Sequence, residues 1–124
     1  MKKIEIVKKF VAAYNSLNAE SMIKFLHPEI EFKNISGGVE NAYTKGIEEF
    51  KELASSSIKI FKERTQKIIS YTESDDTVNV EINFRGILAM DLPNGLKSGE
   101  ILVMNGKSKY VFKDNLIILL VDEG

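Results

Sequence analysis

The chain reads as an α+β domain in which three helices pack on one face of a strongly bent antiparallel sheet, forming a cone with a central pocket. Three observations predict this arrangement. Apolar residues recur at helical spacing only before Lys59, two-residue alternation sets in from Thr77, and the last apolar run, Leu116 to Val121, does not alternate at all. Helices gathered ahead of a run of strands are the pattern of an α+β domain.

Between Ile4 and Leu17 the apolar residues Ile4, Val7, Phe10, Val11, Tyr14 and Leu17 fall three or four apart, opposite Lys2, Glu5, Lys8, Lys9 and Asn15. That spacing predicts an amphipathic helix with one buried stripe. Asn18 is the expected N-cap of a second, short helix carrying Met22, Ile23, Phe25 and Leu26. His27-Pro28 is expected to end it, because a residue before proline is pushed out of helical geometry. Glu29 to Ile35 reads as a short strand that breaks at Ser36-Gly37-Gly38 into a flexible loop carrying Tyr43. A third helix is expected from about Thr44, with Ile47, Phe50, Leu53, Ala54 and Ile58 on its apolar side.

Phe61 to Tyr71 reads as a long, rather polar strand ending in the turn Glu73-Ser74-Asp75-Asp76. Val78, Val80, Ile82, Phe84, Gly86, Leu88 and Met90 then share one face of the next strand, while Asn79, Glu81, Asn83 and Arg85 share the other. Leu92-Pro93-Asn94-Gly95 is a turn, and Gly99 to Tyr110 returns as a strand with an expected bulge at Asn105-Gly106. After Lys113-Asp114-Asn115, the unalternating run Leu116 to Val121 predicts a strand covered on both faces. Three helices cover one face, so a second copy of the chain, packed sheet to sheet, is the expected cover of the other.

At 124 residues, with 44% hydrophobic content, the sequence predicts one domain spanning 1–124. Lys and Arg number 17 against 18 Asp and Glu, which leaves no positive excess to hold a phosphate backbone; nucleic acid is not an expected partner. Absent cysteine excludes thiolate chemistry and disulfides, and a lone histidine excludes a multi-imidazole centre, so neither metal nor cofactor is expected. The N-terminal residues lack the apolar run of a signal peptide, and the longest apolar run is far short of a membrane span of roughly 18 residues; a cytoplasmic protein is expected.

Several stretches together resemble one family. They are Phe10-Val11-Ala12-Ala13-Tyr14-Asn15, Phe25-Leu26-His27-Pro28-Glu29-Ile30, Gly46-Ile47-Glu48-Glu49-Phe50, Phe84-Arg85-Gly86 and Tyr110 to Ile117. In order and spacing they are similar to the nuclear transport factor 2-like superfamily, with its cystatin-like α+β fold, and within it to the SnoaL-like polyketide cyclase and ketosteroid isomerase group. The resemblance implies a cone-shaped domain, a central pocket and a sheet-mediated homodimer. It does not fix an activity, since isomerases, cyclases, dehydratases, epoxide hydrolases and binding modules share the scaffold. A ketosteroid isomerase resembling this chain would carry a carboxylate base, a tyrosine donor and a protonated carboxyl where Asn34, Phe10 and Ser108 stand. The isomerase acid and base set is therefore missing at those positions. His27 beside Pro28 does not form the histidine and aspartate pair of the dehydratases, and Arg85 lacks the flanking acids of the epoxide hydrolases.

The expected function is binding of a small, largely hydrophobic molecule in the pocket, lined by Tyr14, Phe25, Phe32, Asn34, Phe84, Ser108, Tyr110, Phe112 and Leu119, with Tyr43 as a gate. Two alternatives stand beside it. One is a cyclase- or isomerase-like enzyme acting on a polyketide or cyclic ketone, with Glu100 or Asp122 as acid and base. The other is a dimeric interaction module with a closed core. Glu100 shares a face with Ser108 and Tyr110 unless the Asn105-Gly106 bulge turns it outward. Asp122 and Glu123 read as solvated, although the resemblance gives a terminal-strand carboxylate a role in some cyclases.

Overall fold

The computed structural model describes residues 1–124. Its elements run α1 (Lys3–Asn15), α2 (Ala19–Ile23), β1 (Leu26–Ser36), β2 (Val39–Lys45), α3 (Ile47–Ile58), β3 (Phe61–Ser74), β4 (Thr77–Leu88), β5 (Ile101–Lys113) and β6 (Leu116–Glu123). The strands form one open, mixed sheet in the order β2-β1-β6-β5-β4-β3. Helices on one side and a bent sheet on the other are the α+β arrangement that the sequence predicts. The β1–β6 pair is parallel, so the sheet is not antiparallel throughout. No helix is long and apolar enough to cross a membrane.

Burial follows the helical period in α1, where Ile4, Ile6, Val7, Phe10, Val11 and Ala13 are all covered. The Asn18 side chain accepts from Ser21 N–H at 3.1 Å and so caps α2. Chain direction then changes earlier than the sequence suggests. β1 starts before the proline: Leu26 pairs with Ile117, and the next pair is Glu31 with Leu119. Pro28 lies in that gap in the ladder, where its missing N–H removes no strand bond. His27 stays local, its Nδ1 accepting from Glu29 N–H at 3.0 Å.

The stretch expected as a loop, with Tyr43 on it, is the edge strand β2. Gly37 and Gly38 have φ of 58° and 80°, the pair of positive values a two-residue hairpin turn needs, so β1 folds straight back into β2. An edge strand needs only one paired side and little burial, which is why Val39 to Lys45 shows no apolar alternation. Gly46, at φ 85°, opens α3, and Glu48 and Glu49 sit in the first turn, where the helix dipole favours them.

β4 alternates as predicted: Val78, Val80, Ile82, Phe84, Gly86 and Leu88 face inward. Met90 lies beyond the strand and is exposed. The outward row pairs across to β5, with Asn83 donating to Asn105 at 2.8 Å. No bulge exists at Asn105-Gly106; the β4–β5 register is continuous from Thr77↔Val111 to Ile87↔Ile101. Gly106 is needed for another reason, since a Cβ there would stand 2.8 Å from the Glu123 carbonyl oxygen.

The bulge falls instead between β5 and β6. Val111 pairs with Leu119 but Phe112 pairs with Ile117, leaving Ile118 as the extra residue. One extra residue reverses which alternate positions face the core. Ile117 and Leu120, three apart, are therefore both buried, at 0% and 2% exposed. This explains the unalternating run without requiring a full apolar cover on the second face. Leu120→Ala is expected to cost about 2–5 kcal/mol in urea unfolding, and Leu119→Ala clearly less. Equal losses would mean that the bulge does not set the register.

Candidate functional site

α1, α2 and α3 stand off the bent sheet far enough to leave a cavity of about 240 Å3. Phe10 and Tyr14 come from α1, Met22 from α2, Phe50, Leu53, Ala54 and Ser57 from α3, and Phe32, Asn34, Ala42, Arg64, Gln66, Tyr110, Leu120 and Asp122 from the strands. Its apolar walls are locked by edge-on aromatic packing. Phe10 meets Tyr110 with ring centres 5.9 Å apart and Phe32 meets Phe50 at 5.7 Å. A second chamber of about 230 Å3 adjoins it, shares Tyr14, Asn34, Gln66 and Asp122, and is walled by Phe61, Phe84, Leu102 and Met104.

Asp122 is the one carboxyl that lines this cavity. The bulge in β6 turns Asp122 to the same side as Leu120, against the expectation that it is solvated. Its neighbours are two of the positions where the resemblance led one to look for acids: Asn34 on the parallel β1 and Ser108 on β5 are its register partners. The Ser108 hydroxyl donates to Asp122 Oδ1 at 2.6 Å. Burial raises the Asp122 pKa from 3.8 to about 6, with the Ser108 bond opposing the rise. Asn34 is tied back to β2, donating to Asn41 Oδ1 at 2.8 Å.

Two tyrosines complete the polar end. Tyr110 is 1% exposed; burial first, then the charge of Asp122, holds its phenol well above the ordinary range. Tyr14 is raised by burial too, with the nearby Arg64 cation opposing and Asp122 adding. Both phenols therefore stay protonated and available as donors at neutral pH.

Arg64 and Gln66 were not anticipated. They occupy inward positions of β3 and are 3% and 9% exposed. The Arg64 guanidinium lies over the Tyr14 ring, 3.6 Å from its centre, and Nε donates to the Tyr14 carbonyl at 2.9 Å. Asn15 holds β3 against α1 by accepting from Gln66 N–H at 2.8 Å and donating to the Gln66 carbonyl at 3.2 Å. A usable signal existed: Arg64, Gln66 and Ile68 share one parity of β3. Reading only apolar residues as inward hides such a row.

Of the residues expected at the pocket, Tyr14, Phe32, Asn34 and Tyr110 line the main cavity. Phe84 lines the second chamber, and Ser108 sits behind Asp122 rather than at the surface of the main cavity. The others lie elsewhere. Phe25 falls in the turn before β1 and packs on the core. Phe112 is beyond the bulge, 4% exposed in the solid core, and does not line the cavity. Leu119 is turned to the outer side by the same bulge, and Leu120 takes the inward place. Tyr43 does not line the cavity: it is exposed on β2, donating to Glu31 Oε1 at 2.6 Å. Glu100 precedes β5 and turns back on the loop to accept from Lys97 N–H, so its parity with Ser108 never takes effect. No cluster of three or more His, Cys, Asp or Glu side chains forms.

A SnoaL-like domain model matches residues 7–120. Among curated protein sequences none matches the chain. Similar solved structures include a candidate polyketide cyclase from Xanthomonas campestris pv. campestris, with 17% identity, TM-score 0.83, and coverage of 98% of this chain and 89% of that one. IdmH, a candidate polyketide cyclase from Streptomyces antibioticus, has 13% identity, TM-score 0.79, and coverage of 98% and 91%. A cystatin-fold protein from Novosphingobium aromaticivorans has 13% identity, TM-score 0.76, and coverage of 98% and 97%. At these identities the likeness carries the fold alone.

The pKa of Asp122 has a measurable consequence. Between about pH 4 and pH 6 the folded chain keeps a proton that the unfolded chain has released. This group's contribution to stability is thus greatest below about pH 4, declines as pH rises to about 6, and is level above. Urea unfolding from pH 4 to 8 is expected to show that decline, and Asp122→Asn to abolish it, gaining roughly 1–3 kcal/mol over the parent at pH 8. A pH profile identical in parent and variant would place an ordinary, solvated carboxylate at 122.

Proposed function

The chain belongs to the SnoaL-like domain family, within the nuclear transport factor 2-like superfamily, and from that premise we propose that it binds a small, largely hydrophobic molecule in the cone between helices and sheet. What carries this reading is an aromatic-walled cavity with a few convergent polar groups, the usual composition of a small-molecule site. The interior is open, which speaks against an interaction module with a closed core.

One observation favours a reaction as well. Asp122, with its pKa near 6 and two protonated phenols nearby, suits proton transfer at a carbon beside a carbonyl. The ionised carboxylate would take a proton from the α-carbon, Tyr14 or Tyr110 would donate a hydrogen bond to the enolate oxygen, and Asp122 would return the proton to carbon. This is the cyclase- or isomerase-like alternative, with Asp122 and not Glu100 as acid and base. Its substrate class is a polyketide or other cyclic ketone, by analogy with the cyclase candidates among the similar structures.

Deuterium uptake at the α-carbon of a bicyclic ketone such as 2-tetralone, followed by proton NMR, tests the reaction. The parent is expected to accelerate exchange with a rate rising through about pH 6, and Asp122→Asn to lose about 10²–10⁴-fold. Saturable binding without exchange leaves a binding module; no saturable binding removes both readings.

We also propose a homodimer formed through the outer sheet face. Ile101 and Val103 are 53% and 66% exposed there, on the same outward side of the sheet as Leu119 and Val121, which pair with the other end of β5. Native mass spectrometry is expected to show twice the 14.0 kDa chain mass, and Val103→Lys to shift the population to monomer. A monomer at micromolar concentration ends this proposal.

A further inference from the structure

Arg64 is a buried cation with no anion of its own. It is 3% exposed and forms part of the cavity wall. The ion pairs in the molecule are Lys51 with Glu20, Lys97 with Asp91 and Lys107 with Glu123, all at the surface, and none involves Arg64. Its five N–H donors meet the Tyr14 carbonyl at 2.9 Å, the Ser57 hydroxyl at 3.3 Å and the Met22 thioether at 4.0 Å. A thioether is a weak acceptor, and two N–H groups are left over. A buried charge is ordinarily paired. Asp122 is in the same cavity, yet the two form no ion pair, and Tyr14 stands within electrostatic reach of both.

We infer that Arg64 is the anchor for an anionic oxygen group, so that the cavity takes an aromatic or alicyclic molecule bearing a carboxylate or a comparably acidic oxygen. The inference rests on the cavity being a ligand site and specifies what enters it. Three features of the wall fit that class of ligand. A planar guanidinium presents paired donors suited to the two oxygens of a carboxylate. Stacking on Tyr14 and the bond to its carbonyl hold the plane fixed before the ligand arrives. Phe10, Phe50 and Leu53 offer apolar surface to the remainder of the molecule. With Arg64 on β3 and Asp122 on β6, an anion bound at the first leaves the body of the ligand to extend past Tyr14 toward the second.

The bonds to the Tyr14 carbonyl and Ser57 tie β3 to α1 and α3, but neither acceptor balances the charge. A methionine or leucine at 64 would fill the same space between α1 and β3 without a desolvated charge, and no carboxylate has been placed to balance the one present.

The test compares 1-naphthoate with 1-naphthylmethanol by isothermal titration at pH 7.5 and low salt. The parent is expected to bind the carboxylate at least tenfold tighter than the alcohol. Arg64→Gln is expected to bring the two to within about twofold while still binding the alcohol, and Asp122→Asn to keep the preference. Should Arg64→Gln fail to fold, the guanidinium N–H signals of the parent, observed by ¹⁵N NMR, serve instead: Arg64 Nε–H is expected to shift with naphthoate and not with the alcohol. Equal affinity of the two probes in the parent, or a preference surviving in Arg64→Gln, overturns the anion site while leaving the ligand cavity intact. Binding of neither probe overturns the cavity reading and this inference with it.

Discussion

A single extra residue in the last strand organises this molecule. With Ile118 unpaired, β6 presents Ile117 to the core on one side of the bulge and Leu120 and Asp122 on the other. Had the register run on unbroken, Leu119 and Val121 would face the helices, and Asp122 would face water. The core would still be apolar, because all the candidates are aliphatic. What would change is the cavity, which would lose its carboxyl. Gly106 supports the same end of the sheet, since only a residue without Cβ lets the Glu123 carbonyl come so close. The bulge thus decides which side chains line the cavity far more than it decides how apolar the core is.

Around that carboxyl the polar groups are arranged so that each limits the next. Ser108 satisfies one oxygen of Asp122 and keeps its pKa from rising further, while burial keeps it from falling to the usual carboxylate range. Tyr14 and Tyr110 remain protonated because a phenolate beside Asp122 would be both desolvated and repelled. Arg64 stacks on the Tyr14 ring and forms no ion pair with Asp122. A cation and an acid are thereby kept in one cavity without forming an ion pair. The helices supply the restraint: α1 fixes Tyr14, Asn15 fastens β3 to α1, and Ser57 of α3 holds the other edge of the guanidinium.

The positions where the resemblance implies acids lie next to the one carboxyl of the cavity. Asn34 and Ser108 are not acids, yet they flank the acid on the strand between them. The assembled surface brings one carboxyl, Asp122, between them, with the Ser108 hydroxyl donating to it. The same reasoning separates Glu100, which the sequence favours, from Asp122, which it reads as solvated. Glu100 has the right parity but precedes its strand, and Asp122 acquires its parity from the bulge.

The sequence by itself determined the α+β class, the inward row of β4, the buried stripes of α1 and α3 and the turns that separate the later strands. These follow from local periodicity and turn chemistry, which need no knowledge of a neighbour. Of the residues it names, Tyr14, Phe32, Asn34 and Tyr110 line the cavity, each on the inward phase of its own element. Only the tertiary structure decided β2, the parallel β1–β6 pairing, the bulge at Ile118 and the burial of Arg64. An edge strand is held by the backbone bonds of its partner, and a bulge by the mismatch between two strands. An inward arginine is held by a carbonyl fifty residues away in sequence. Each of these is a relation between two distant segments, and no periodicity within either one records it.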